Sequence, residues 1–111
     1  MEDPQLDAYR DAAKAAAVTA PSAEKRTTEI ATGQAKLSGL SKQMKELGQV
    51  IVDAEADIVI ARTTADAAAE QLAQGRLTAA LDVLKQNFDL RKQTVSRLRA
   101  LGVAVADPYV A

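Results

Sequence analysis

The 111-residue chain contains no cysteine and no histidine. Without cysteine it can form no disulfide, no thiolate nucleophile and no cysteine-ligated metal site. Without histidine it lacks the commonest general base and the commonest transition-metal ligand. Serine and threonine are present, but the base that usually activates them is missing. We therefore expect a protein that is not an enzyme, with no catalytic residue and no cofactor.

Aromatic residues, excess charge and long apolar runs are also scarce. Only three residues are aromatic although 48% are apolar, because alanine supplies much of that fraction. Such a composition suits closely packed helices better than a large globular core. The net charge of −1 argues against a general attraction to nucleic acid or to an anionic membrane. We expect one soluble domain over residues 1–111, with no small-molecule substrate.

The location of the protein is predicted from the same absences. No apolar run approaches the roughly 20 residues that a membrane span requires. The acidic start, MEDPQL, lacks the apolar region of a secretory signal. We expect a protein without a membrane span, in the cytoplasm or within a particle assembled inside the cell.

Proline and glycine divide the chain into helical segments. Pro21 predicts the end of a first helix, and Ser22 can cap a second. Gly75, in the sequence AQGR, predicts a tight turn, and Gly102 fits the position just after a helix. This pattern predicts helices over residues 5–19, 23–73 and 77–101, followed by an apolar tail over residues 102–111.

The stretch VIVDAEADIVIA, residues 50–61, decides between an all-helical fold and a β-hairpin over residues 50–60. Valine and isoleucine favour strands. However, apolar residues follow a heptad pattern from Ile30 to Leu72, and the pattern runs through this stretch without a skip. We expect a helix here, and a kink at Gly33, Gly39 or Gly48 stays open because each glycine costs about 1 kcal/mol in a helix.

A reversal at Gly75 would fold the second and third helices into a long antiparallel hairpin of the coiled-coil type. In that register Ile51 faces Leu98 and Ile58 faces Arg91, and small residues face large ones in several layers. Acidic residues near the end of the second helix would lie opposite basic residues of the third, for example Glu55 opposite Lys92. The predicted seam consists of Ile51, Ala54, Ile58, Ala61, Ala65, Ala68, Leu72, Leu77, Leu81, Leu84, Phe88, Arg91, Val95 and Leu98.

The acidic cluster of Asp53, Glu55 and Asp57 is not expected to bind a metal ion. The glycine and the later glutamate of a calcium-binding EF-hand loop are absent from the required positions, and on a helix these carboxylates diverge. Lys92, by the hairpin argument, is expected to contact carboxylates of the facing helix rather than phosphate.

Several apolar residues have no partner in this hairpin and predict contacts with another chain. The third helix would cover about half of the second, and other apolar residues lie outside the seam. The tail is apolar and either frays or docks in a groove of a neighbour. The predicted partner or oligomer interface consists of Leu37, Leu40, Met44, Val52, Val59, Ile60, Tyr109 and Val110.

Two functions fit these expectations. The first is a structural or assembly protein that packs with copies of itself or with neighbouring proteins in an oligomeric helical bundle, as in a phage particle or a secretion apparatus. The second is a small helical chaperone or regulator that holds one different protein in a groove formed by Leu37, Leu40, Met44 and the stripe from Val52 to Ile60. The copy number and the identity of the assembly are not encoded in any motif.

Overall fold

The computed structural model describes residues 3–111, apart from the side chains of residues 17–22. Within this part the chain forms two α-helices, α1 (Pro4–Thr63) and α2 (Ala67–Ala100), and no strand. The expectation of an all-helical fold is therefore confirmed. The stretch of residues 50–61 lies wholly inside α1, so the β-hairpin alternative is wrong.

Helix α1 is one 60-residue element where the sequence predicted two helices. The Asp3 carboxylate caps its start by accepting a hydrogen bond from the Gln5 amide at 2.9 Å, and Pro4 occupies the first turn, where its missing N–H costs nothing. A proline inside a helix costs about 3 kcal/mol, which good helix formers on both sides can offset. The predicted cap at Ser22 falls among the side chains outside the described part.

The chain reverses at residues 64–66, and the predicted turn at Gly75 is wrong. Ala65 adopts the left-handed conformation, with φ of 54°, and the Asp66 amide donates to the Ala61 carbonyl at 2.9 Å. The Asp66 carboxylate then caps α2 by accepting from the Ala69 amide at 3.0 Å. Gly75 lies on the surface of α2.

The earlier turn is favoured because it covers more of α1. A reversal at Gly75 would leave Leu37, Leu40 and Met44 bare, whereas burying each large apolar side chain stabilises the fold by about 1.5–3 kcal/mol. A glycine inside α2 costs only about 1 kcal/mol.

Helix α2 ends as the sequence predicted, with glycine just beyond its last turn. Gly102 has φ of +87°, its amide donates to the Arg99 carbonyl, and the Val103 amide donates to the Leu98 carbonyl, each at 3.0 Å. This pair of hydrogen bonds is the Schellman motif, which requires a residue that tolerates the left-handed conformation. Residues 101–111 then run back along the hairpin without regular structure.

The two helices pack side by side in an antiparallel hairpin, and the molecule measures 93 × 24 × 19 Å. A 60-residue helix is about 90 Å long when straight, so α1 has no sharp kink at its glycines. Near the open end of the hairpin, Arg26 donates to the Leu101 carbonyl at 2.9 Å. The residues of α1 before Arg26 therefore extend beyond the end of α2 as a single helix.

The pairing register follows from the position of the turn. Leu98, which was expected opposite Ile51, packs against Gly33, about five helical turns earlier in α1. A Cβ atom added to Gly33 would lie 2.8 Å from Leu98 Cδ2, so the buried Leu98 side chain would have to shift to admit any other residue. Arg97 pairs with Glu29 at 2.6 Å at the same end of the hairpin, and Arg76 pairs with Asp57 at 2.7 Å near the turn.

Candidate interaction surface

The predicted heptad of α1 does face α2, although its partners differ from those predicted. Ala54, Ile58 and Ala61 are buried between the helices, and Ile51 is half-buried. The same face continues toward the open end of the hairpin with Leu40, which is buried. From Leu40 to Ala61 the predicted heptad positions therefore lie on the side of α1 that faces α2, although they face other residues of α2 than predicted.

The seam of α2 differs from the predicted one at two positions, Leu81 and Phe88, where the residue before each is buried instead. Leu77 and Leu84 are half-buried, and Arg91, Val95 and Leu98 are buried, as predicted for seam residues. Leu81 and Phe88, in contrast, are exposed. Ala80 and Asn87, which precede these two residues, are buried, and so are Ala73 and Thr94. The apolar pattern could not identify these small or polar residues as part of the seam.

Three further seam residues lie outside the interface because the chain turns before them. Ala65 is in the turn itself, and Ala68 and Leu72 lie on the exposed surface of the first turns of α2. Leu72 is 72% exposed. A turn at Gly75 would have buried all three, so their exposure follows directly from the reversal at residues 64–66.

The residues predicted to contact another chain fall into two groups. Leu40 is buried in the hairpin and Leu37 and Met44 are half-buried, and Met44 lines an open groove beside Tyr109. Val52, Val59 and Ile60 are about 60% exposed on the outer surface of α1. These three stay candidates for contact with another chain.

The tail residues are held by the chain's own helix α2, in contrast to the expected docking on a neighbour. Arg99 donates to the backbone oxygens of Val105, Val110 and Ala111 at 2.8–3.3 Å. Val110 is half-buried and Tyr109 is 54% exposed. The tail is thus part of the hairpin surface.

A buried ion pair anchors this tail at the middle of the hairpin. The guanidinium of Arg91 donates to the Asp107 carboxylate at 2.7 Å and to the Ser41 hydroxyl at 2.7 Å, and the Tyr109 ring lies 5.6 Å from it. The side chains of Arg91 and Asp107 are only 6% and 5% exposed. Because an unpaired buried charge is costly, Arg91 requires the tail to stay in place.

The environment of Asp107 favours its charged form. Burial by itself would raise the pKa of Asp107, but the Tyr109 amide, 2.9 Å from Oδ1, and the Arg91 guanidinium together outweigh it. The pKa of Asp107 therefore lies below its ordinary value of 3.8. At neutral pH the pair is fully ionised and the tail is latched.

A second buried polar contact fixes the register of the helices. Asn87 is 2% exposed, and its amide nitrogen donates to the Leu40 carbonyl at 3.0 Å and to Gln43 Oε1 at 2.7 Å. A polar residue in a helical seam selects one alignment, because any other alignment leaves it without partners. The apolar periodicity of the sequence gave no signal for this role.

An apolar groove of about 360 Å³ opens beside the docked tail, lined by residues of both helices and by Tyr109. Leu81 and Phe88 form its rim, and Lys92 lies over the Phe88 ring at 5.3 Å. The groove offers apolar contact and cationic groups from Lys85 and Arg91.

No group of three or more acidic side chains in the described part is arranged to hold a metal ion. Neither helix contains, in that same part, a stretch both long and apolar enough to cross a membrane.

No family model matches the chain, and comparisons with curated proteins and with solved structures give no significant match. The interpretation of this surface therefore rests on the residues themselves.

Four exposed apolar residues share one side of the hairpin, and we call this set the apolar face: Val52, Val59, Leu81 and Phe88. Each directly follows a residue that faces the other helix. One residue step turns a helix by about 100°, so the residues before and after a facing position lie on opposite sides. Asp57 and Arg76, which precede such positions, form their ion pair on the other side. The apolar face therefore includes residues of both helices, and the opposite side also carries exposed apolar residues: Val50, Ile60, Leu72 and Leu90.

Proposed function

We propose that this protein is a non-enzymatic structural or assembly subunit, which packs through its apolar face with copies of itself in a larger assembly. The observation that supports this proposal is the exposure of the four residues of the face, which ranges from 42% to 61%. Single exposed apolar residues are ordinary. Four on one side of a narrow rod make that side a candidate interaction surface.

The shape of the molecule supports the same proposal. A two-helix hairpin buries only the stripe between its helices, so each helix keeps most of its circumference in solvent. Two of the four buried residues in the described part of α1 are alanines, Ala54 and Ala61, and they bring the helices close together without forming a large core. Lateral packing with further helices is the simplest way for such a rod to bury more apolar surface.

The chaperone alternative keeps part of its expected groove. Leu40 is buried and Leu37 and Met44 are half-buried, whereas Val52, Val59 and Ile60 are exposed. Packing with neighbouring proteins of an assembly would use the same apolar face, and the experiment below separates it from packing with copies.

Light scattering coupled to size exclusion, over a concentration series, tests the proposal. We expect a discrete oligomer whose population rises with concentration. The double variant Val52→Gln/Val59→Gln should abolish it, because it places two polar side chains on the face. The matched control is Val50→Gln, since Val50 is exposed but turned by about 200° from Val52. A wild-type chain that stays monomeric over the whole series would overturn packing with copies.

A further inference from the structure

Residues at regular spacing in a line along the outer side of α1 form a surface that is complementary to an antiparallel copy of the same surface. The line runs along the same side as the apolar face, because each member follows a position that faces α2, with alternating spacings of four and three residues. It consists of Ser41, Lys45, Gly48, Val52, Glu55 and Val59. Its midpoint lies at about residue 50.

Reversing the line about this midpoint matches large residues with small ones. Val52 then meets Gly48, and Val59 meets Ser41. Gly48 has open space where a side chain would be, since a Cβ atom added there would meet nothing within 4 Å. The surface therefore has a notch at Gly48 and a projecting side chain at Val52, which is 60% exposed. Such an alternation of projection and notch is how helices pack closely.

The same reversal matches opposite charges. Glu55 then meets Lys45, and both side chains are exposed on α1. Neither takes part in any salt bridge among the described residues. They cannot pair with each other within one chain, because ten residues of helix separate them by about 15 Å.

The charge distribution along the hairpin supports the same alignment. Residues 50–82, around the turn, carry six acidic and two basic side chains, whereas residues 25–49 and 83–100 carry three acidic and ten basic ones. Both basic residues near the turn, Arg62 and Arg76, already pair with carboxylates of that region. An antiparallel overlap places the acidic end of each copy over the basic part of the other.

We propose that two copies of the hairpin form a two-fold antiparallel dimer, in which this line of α1 packs against the same line of the second copy. This inference deepens the proposed function and rests on it. The interface is isologous, so each complementary contact occurs twice. Glu55 of each copy contacts the partner's Lys45, and Val52 of each copy fills the partner's notch at Gly48. Leu81 and Phe88 lie on the same side of α2, next to Tyr109 of the docked tail, so the second copy contacts the tail there as well.

Charge reversal with rescue in a single chain tests the alignment. Glu55→Lys or Lys45→Glu alone should weaken dimerisation about tenfold or more, because two attractive contacts become repulsive. The double variant Lys45→Glu/Glu55→Lys should restore it, because each reversed side chain meets its reversed partner on the other copy. Asp7→Lys, on the part of α1 beyond the hairpin, is the control and should leave the dissociation constant unchanged. Singles without effect, or a double variant that is weaker than both, would overturn the alignment.

Filling the notch gives a second test that does not endanger folding. Gly48→Leu should abolish the dimer and yet raise the melting temperature of the monomer, because it replaces glycine in a helix at an open position. Gly39→Leu is the matched control. Gly39 also has open space around it but precedes the buried Leu40, on the other side of the hairpin, so this variant should keep the dimer. A dimer that tolerates Gly48→Leu would contradict the proposal.

Disulfide trapping establishes the orientation, and the absence of native cysteine makes it clean. A mixture of Glu55→Cys and Lys45→Cys chains should give the mixed linked dimer under mild oxidation, and neither variant alone should link. Each variant linking with itself would indicate parallel copies and overturn the antiparallel arrangement.

The outcomes separate this inference from the proposed function. A discrete oligomer that ignores the charge and notch variants refutes the dimer and leaves the structural role intact. A wild-type monomer at all concentrations refutes both, and the same chain titrated with a DNA duplex then tests whether the basic region binds an anionic polymer instead.

Discussion

The tail latch gives the most quantitative expectation, through the variant Asp107→Ala. With the tail still docked, this change would leave the Arg91 guanidinium buried and unpaired, a loss of about 3–5 kcal/mol. The chain can escape part of that cost by releasing the tail, which returns Arg91 to water. The measured loss is therefore limited by the free energy of tail docking, and we expect about 3 kcal/mol.

This argument predicts a relation between two variants. Deleting residues 103–111 removes the whole docked tail, so Asp107→Ala should destabilise the hairpin no more than the deletion does. Urea denaturation followed by far-ultraviolet circular dichroism measures both free energies of unfolding. Asp89→Ala is the control, because Asp89 is an exposed residue of α2, and we expect a change below about 0.5 kcal/mol. A loss for Asp107→Ala that exceeds the loss on deletion would refute the reasoning.

The same latch should respond to acid. The pKa of Asp107 is lower in the folded chain than its ordinary value of 3.8, so the unfolded chain takes up this proton more readily. The latch thus contributes its full stability above that ordinary value and loses it as the pH falls through the lower pKa of the folded state. The difference in unfolding free energy between wild type and Asp107→Asn isolates this group, and it should shrink between about pH 5 and pH 2. A difference that is constant over this range would exclude the latch as its source.

Three substitutions test the helix packing and the turn, each by thermal and urea denaturation. Gly33→Ala should destabilise by about 1–3 kcal/mol because its Cβ atom meets the buried Leu98, whereas Gly39→Ala, with open space, should stabilise by about 1 kcal/mol. Asn87→Ala should cost about 1–3 kcal/mol through the loss of its two hydrogen bonds to α1. Ala65→Gly should gain about 1 kcal/mol, because Ala65 adopts the left-handed conformation that glycine tolerates. The opposite sign in any of them would contradict the packing described.

Periodicity predicted the features that depend on one helix alone. The apolar spacing of α1 identified the face that α2 covers, including Ala54 and Ile58. Gly102 was identified correctly as the residue beyond the last helix, because its backbone conformation is a local requirement. These features need only the period of a helix and the conformational freedom of a residue, and both are visible in sequence.

The position of the turn could not be predicted from periodicity, because the cost of a glycine inside a helix competes with the cost of leaving part of α1 uncovered. Gly75 is the stronger local turn signal. However, a turn there leaves apolar residues of α1 exposed, and this costs more free energy than keeping the glycine inside α2. The capping role of Asp66 was not predicted, because short capping residues are common and only the covered length of α1 distinguishes one from another. Asn87 was missed because its partners lie on the other helix, at positions that only the correct register brings near.

The shift of the turn also changes the meaning of the charge pattern. The sequence matched Glu55 with Lys92 across the hairpin, and this match disappears when the reversal moves to residues 64–66. The acidic end of α1 then lies beside the first turns of α2, and Lys92 lies beside the basic part of α1. Side chains of opposite charge that do not meet within one folded hairpin can still attract each other between two copies of it. Because the exposed Glu55 and Lys45 lie symmetrically about the same midpoint as Val52 and Gly48, that attraction and the open notch both indicate the same reversed copy as partner.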